Sequence, residues 1–148
     1  MSVSEEINTP ALPSEYRFIT SDDHTYLIRS DEMGTRIYTG TRYIEADIPA
    51  LSMGRVYFID ADDVQRLRVV HRSGYIAVLM PYNKTMLGLC YHKTSNNRIW
   101  DKTTSVAYTE QPDLTKHAVI SRNHGLHWTI TAPITRLVKY TKSTGQTI

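Results

Sequence analysis

The sequence holds a single cysteine, Cys90, so no intramolecular disulfide can staple the fold. Glycine is sparse and scattered. Gly40 and Gly54 stand alone, and neither a GxGxxG stretch nor a P-loop occurs, which removes the usual phosphate cradles. A Gly-x-Ser-x-Gly nucleophile elbow is missing as well. Asp60, Asp62 and Asp63 lack the glycine and the closing glutamate of a calcium loop. The longest apolar run, Tyr75 to Met80, is far too short to cross a bilayer. Met1 to Glu6 has neither the basic nor the apolar region of a secretory signal. The expectation is synthesis in the reducing cytoplasm, with no membrane partner and no cofactor. Asn83-Lys84-Thr85 matches a glycosylation sequon, which carries little meaning without such a signal.

What is present is ordinary for a folded domain. Apolar residues make up 41% and charged residues 22%, and 148 residues suffice to bury a core. Ten tyrosines stand against two Phe and two Trp, among many Thr, Val and Ile. Those residue types suit a pleated, half-buried surface. Net charge is +2, but residues 1–33 hold seven acids and two bases, a net of −5, which leaves +7 for the remainder. No acid follows Asp113, whereas Lys116, Arg122, Arg136, Lys139 and Lys142 do. Such asymmetry marks an interaction surface, or chain ends that lie together and compensate; the second is preferred.

Periodicity points to a mainly β fold, with α+β as the second choice. An antiparallel sandwich or barrel with one short helix near 60–73 is expected. Residues 1–14 read as an extended arm, because Pro10 and Pro13 hold their preceding residues extended. Residues 15–140 form one β-rich domain, and 141–148 a polar tail. Alternating strands are predicted at 16–20, 25–29 and 36–45, then a connector over 48–54 and a short strand at 55–59. Asp60 to Arg72 reads as the helix. Asp60 is placed to cap it, Asp62 and Asp63 suit its first turn, and Ala61, Val64, Leu67 and His71 share one face. A hairpin follows, with strands at 75–80 and 85–92 around Pro81-Tyr82-Asn83-Lys84. Further strands are expected at 98–100, 105–109, 117–121, 127–131 and 134–140.

The histidines are the chemically suggestive set. Leu126-His127-Trp128-Thr129-Ile130 and Tyr91-His92-Lys93-Thr94 share a His-x-Thr core. Facing each other, two such strands could supply an acid–base pair of imidazoles and two hydroxyls for phosphate oxygens. This pattern is similar to the signature of two-histidine phosphoesterases. The resemblance covers only these two tetrapeptides, and it implies His92, Thr94, His127 and Thr129 as catalytic groups. Cys90 and His92 on one strand face, with His124 and His127, form a weak candidate set for zinc. Arg66, Arg68, His71 and Arg72 with the acid-free C-terminal third could meet nucleic-acid phosphates, and Trp100, Tyr108, Trp128 and Tyr140 could stack on bases.

The leading expectation is different. It is a non-enzymatic structural or interaction protein that docks with other protein subunits, as a homo- or hetero-oligomer, through its arms. Pro10 and Pro13 in the arm, with the arginines of the helix, are its candidate binding residues. Decoration, connector or tail components of phage virions share this architecture by analogy. A small phosphodiesterase or nucleotide-binding protein, and a basic-surface nucleic-acid binder, are the alternatives.

Overall fold

The computed structural model describes residues 12–41, 50–68, 76–92 and 98–140. Ten strands and one helix follow one another: β1 (Glu15–Thr20), β2 (His24–Asp31), β3 (Gly34–Thr41), β4 (Ala50–Ile59), α1 (Ala61–Arg68), β5 (Ile76–Pro81), β6 (Met86–His92), β7 (Arg98–Ala107), β8 (His117–Arg122), β9 (His127–Ile130) and β10 (Ile134–Tyr140). They build an antiparallel seven-stranded sheet, ordered β10-β1-β2-β3-β4-β8-β9, and a three-stranded sheet, β5-β6-β7. The mainly β expectation holds, but the large sheet is not a closed barrel.

It is strongly curled. Its two edge strands, β9 and β10, are consecutive in the chain and joined only by Thr131–Pro133. A flat sheet would separate them by six intervals of about 4.8 Å, or roughly 29 Å. Four Cα–Cα steps span about 15 Å at most. The edges must therefore bend toward each other at this end. Hydrogen bonds pin the link: Ser21 N–H donates to Pro133 O at 2.9 Å, and Thr131 N–H donates to Ala118 O at 2.8 Å. The buried Thr131 hydroxyl accepts from Ala118 N–H at 3.1 Å and donates to Ala132 O at 2.9 Å.

Alternation then sorts side chains into two cores. Tyr16 and Phe18 of β1, Ile28 of β2, Ile37 of β3, Val56 and Phe58 of β4, Ala118 and Ile120 of β8, and Ile134 of β10 meet inside the curl. On the opposite face of β4 and β8, Tyr57, Ile59 and Val119 join Val64 and Leu67 of α1 with Leu79, Leu87, Leu89 and Val106 of the small sheet. Both faces of the β4–β8 pair are covered, which is why Val56–Ile59 and Ala118–Ile120 are continuous buried runs rather than alternating ones.

Several sequence expectations need correction. Residues 50–54 are not a connector but the first half of β4. Pro49 and Gly54 read as breakers, yet Gly54 is required by close approach: a Cβ there would lie 2.3 Å from Ser121 O. At this residue β4 changes partner, pairing with β3 up to Met53 and with β8 from Gly54 onward. The strands expected at 98–100 and 105–109 are largely one strand, β7 over 98–107, whose register jumps between Leu87 and Leu89 of its partner; Thr109 makes only an isolated bridge. The helix spans 61–68, with Val64 and Leu67 buried as expected; His71 and Arg72 lie outside the described residues. Asp60 precedes it, and its carboxylate accepts from Lys116 Nζ at 2.5 Å.

Gly125 follows Asn123 and His124 in a short turn whose three φ angles are 53°, 54° and 89°. Left-handed backbone costs a non-glycine residue about 1–3 kcal/mol. A Cβ on Gly125 would also lie 2.0 Å from Leu79 O. Gly125→Ala is expected to destabilise the protein by about 3 kcal/mol or more, since overlap adds to that strain. Leu67→Ala, a buried truncation, should cost about 2–5 kcal/mol. Thr131→Val, which strands the Ala118 N–H, should cost about 1–3 kcal/mol. Urea unfolding curves check all three, and a Gly125→Ala midpoint equal to wild type would refute the turn's role.

Candidate functional site

The curl leaves a groove of about 930 Å³ at the end opposite the Thr131–Pro133 link. Tyr16, Ile28 and Val56 floor it from the inner face of the sheet. Leu12, Pro13, Gly34 and Thr35 form one wall. Met80 and Pro81 of β5, with the left-handed Asn123–Gly125 turn, form the other. Met53 stands at the mouth, 51% exposed.

The floor carries an open strand edge. Phe58 exchanges two hydrogen bonds with Thr109, at 2.8 and 3.0 Å. Even-numbered residues of β4 therefore turn their backbone groups to this edge, and odd-numbered ones turn theirs to β8. Between Met53, where β3 stops pairing, and Phe58, no ladder or bridge covers this edge among the described residues. Val56 thus turns its N–H and C=O groups into the gap, whereas the Gly54 N–H closes the β3 ladder on Thr35 C=O, the bond that flanks the Arg36–Met53 pair. Thr35 of β3 faces β4 in the same way, since Ile37, two residues on, pairs across to Ser52. Backbone groups in a partly enclosed, apolar setting are costly unless paired.

The rim is polar. Arg55 Nη1 lies 3.9 Å from Glu110 Oε1, a loose and exposed pair. Burial pushes the Tyr16 phenol well above the ordinary tyrosine range, and the Glu110 charge adds to it. Burial also raises Tyr57, where Arg55 opposes and Glu110 reinforces the shift. Tyr108 stands edge-on to Tyr57 at 5.1 Å between centroids, and burial raises it in the same way.

The residues singled out in the sequence lie elsewhere or outside. His127 and Thr129 are exposed on one face of β9, while Trp128 and Ile130 on the other face pack into the core shared with the small sheet. The backbone of His92 ends β6, so the His127 face is turned away from the sheet that carries His92. The His92 side chain and Thr94 lie outside the described residues. Cys90 is buried, and His124 is exposed on the groove wall. Among the described residues no group of three or more His, Cys, Asp and Glu is placed to hold a metal. His117 is bound to Thr131 O through Nδ1 at 3.0 Å, and His24 Nδ1 pairs with Asp22 at 3.1 Å.

Arg66 Nη1 donates to Ser105 O at 3.3 Å. Arg68 closes α1, and Arg72 and Pro10 lie outside the described residues. Pro13 is buried on its own body. Of the aromatics expected to stack on bases, Trp128 donates through Nε1 to Ala77 O at 3.3 Å and packs on the core, as does Tyr108; Tyr140 is exposed. Lys116 is paired with Asp60. Strands β1 and β10 run side by side, with Glu15 opposite Tyr140 and Arg17 opposite Val138.

The groove itself was missed. Its signal in the sequence is Gly54 interrupting an otherwise strand-like stretch, which marks close backbone approach. Compared with protein-family models, with curated proteins and with solved structures, the chain matches none.

The raised tyrosines predict an alkaline limit. In the unfolded chain Tyr16 ionises near pH 10, whereas in the folded protein it stays neutral. A folded value above the unfolded one adds stability that is whole below about pH 10 and is lost as pH rises beyond it. Denaturant midpoints should hold to about pH 10 and then fall, and Tyr16→Phe should soften the fall. A flat midpoint through that range would contradict the burial.

Proposed function

We propose that this is a structural or interaction protein, and that it docks an extended segment of polypeptide in the groove by adding it as a strand to the open stretch of β4. One observation carries the reading: the backbone of Val56, between the end of the β3 pairing and the Thr109 bridge, lies uncovered on the floor of the groove. Strand addition supplies main-chain hydrogen bonds for affinity, while flanking pockets select alternate side chains. The spacing suits this mode. Val56 offers one donor and one acceptor along this edge. Tyr16, Ile28 and Met53 offer apolar surface beside them.

The partner class is therefore protein, recognised through an extended backbone. Assembly of a viral particle, with the protein as a decoration, connector or tail component, is a setting that such docking serves.

Selection from a displayed library of random peptides tests the reading. Binders should be extended, with apolar residues at alternate positions. On binding a selected peptide, amide hydrogen exchange at Val56 should slow at least tenfold. Met53→Lys should weaken that peptide at least tenfold without changing the circular dichroism spectrum. Peptides that protect other strands, or no binders at all, would defeat the reading.

A further inference from the structure

We infer that the docked segment brings a primary ammonium group to Glu110, whose carboxylate binds it while the Tyr16 phenol oxygen accepts a hydrogen bond from it. The inference rests on the docking reading above and names the chemistry that the groove selects.

The uncovered stretch of β4 is short and closed at both ends. Gly54 N–H meets Thr35 at one end, and Thr109 bridges Phe58 at the other. Continuing the Phe58–Thr109 register sets Glu110 beside Tyr57. Gln111 N–H then donates to Thr109 Oγ1 at 3.1 Å, which turns the chain there. Glu110 therefore stands at the Thr109 end of the stretch. Every ladder of the large sheet is antiparallel. A segment added in that sense, with its second residue opposite Val56, sets its first residue beside Tyr57 and next to Glu110. Its amino end then points at the carboxylate. A strand added at its middle would have to run on through the space that Glu110 fills.

The surroundings fit a compact cation with several donors. Tyr16 is only 6% exposed and lines the groove together with Glu110. Its Oη makes no hydrogen bond among the described residues. The Glu110 charge is felt by that phenol and by those of Tyr57 and Tyr108. A neutral phenol oxygen can accept, and an ammonium has three N–H donors, enough for the carboxylate and the phenol together. Arg55 competes weakly. At 3.9 Å from Glu110 Oε1, and with its side chain 67% exposed, it is too distant to hydrogen-bond the carboxylate and too open to hold it firmly. A carboxylate ligand would instead meet Glu110 as a like charge. A free amino terminus and a lysine side chain both supply an ammonium, and the short, closed stretch favours the terminus.

The test uses the full chain and a peptide selected from the library, made with a free amino end, N-acetylated, and N-acetylated with lysine in first place. By fluorescence anisotropy the free form should bind at least tenfold more tightly than the plain acetylated one. Glu110→Gln should erase that difference, and Tyr16→Phe should reduce it about threefold, with circular dichroism spectra unchanged. Arg55→Gln should tighten the free form, because it removes the competing cation. The pH separates the two sources: a terminal ammonium loses its advantage above about pH 8, a lysine above about pH 10. Equal binding of all three forms would overturn the inference, as would dependence on Arg55 in place of Glu110. If the acetylated peptide still slows exchange at Val56 in that case, the ammonium alone has failed. If no form protects Val56, the docking reading has failed with it.

Discussion

Three residues, Thr131 to Pro133, tie together the two outermost strands of a seven-stranded sheet, and that short tether dictates most of what surrounds it. A flat sheet would hold those strands about twice as far apart as the link can reach. Curling is the solution, and the hydrogen bonds at Thr131, Pro133 and Ser21 hold it. Once curled, the sheet has an inside. Phe18, Ile28, Ile37, Phe58 and Ile120 fill that inside from five different strands. Where the tether is, the curl is tight; at the far end it opens into the groove.

The same curl explains why β4 and β8 are special. They lie toward the β9 edge of the sheet and are covered on both faces, by the inner core and by the layer of α1 with β5, β6 and β7. β4 also changes partner partway along. Gly54 makes that possible, because only a residue without a Cβ can approach Ser121 O so closely. The change of partner leaves a short edge of β4 uncovered between β3 and the Thr109 bridge. The open edge and the close approach are thus two results of one divergence between strands.

The chemistry suggested by single residues was mostly absorbed by structure. His117 fixes the tether through Thr131 O, and His24 closes the β1–β2 turn with Asp22. Asp22 is held below the usual carboxylate range first by the Thr20 hydroxyl and then by His24. His127 and Thr129 decorate an outward face of β9, while Trp128 between them packs into the core. Polar residues placed by strand alternation inherit their direction from the apolar residues beside them. A local motif such as His-x-Thr carries no information about which way its face will turn.

Local pattern was enough to establish the mainly β class, most strands, the helix around Val64 and Leu67, and the hairpin at Pro81–Lys84, because each depends on period and turn chemistry within a few residues. It also placed strands at 55–59 and 117–121, though not that Val56–Ile59 and Ala118–Ile120 are buried on both faces. The connector wrongly read over 50–54 shows the boundary of that method. Gly54 was seen as a break, when its meaning was contact with Ser121, a residue 67 positions later in the chain. The tether, the curl, the groove and the bare edge of β4 all arise from pairings between distant strands. Their energetics depend on who sits opposite whom, and only the folded arrangement decides that.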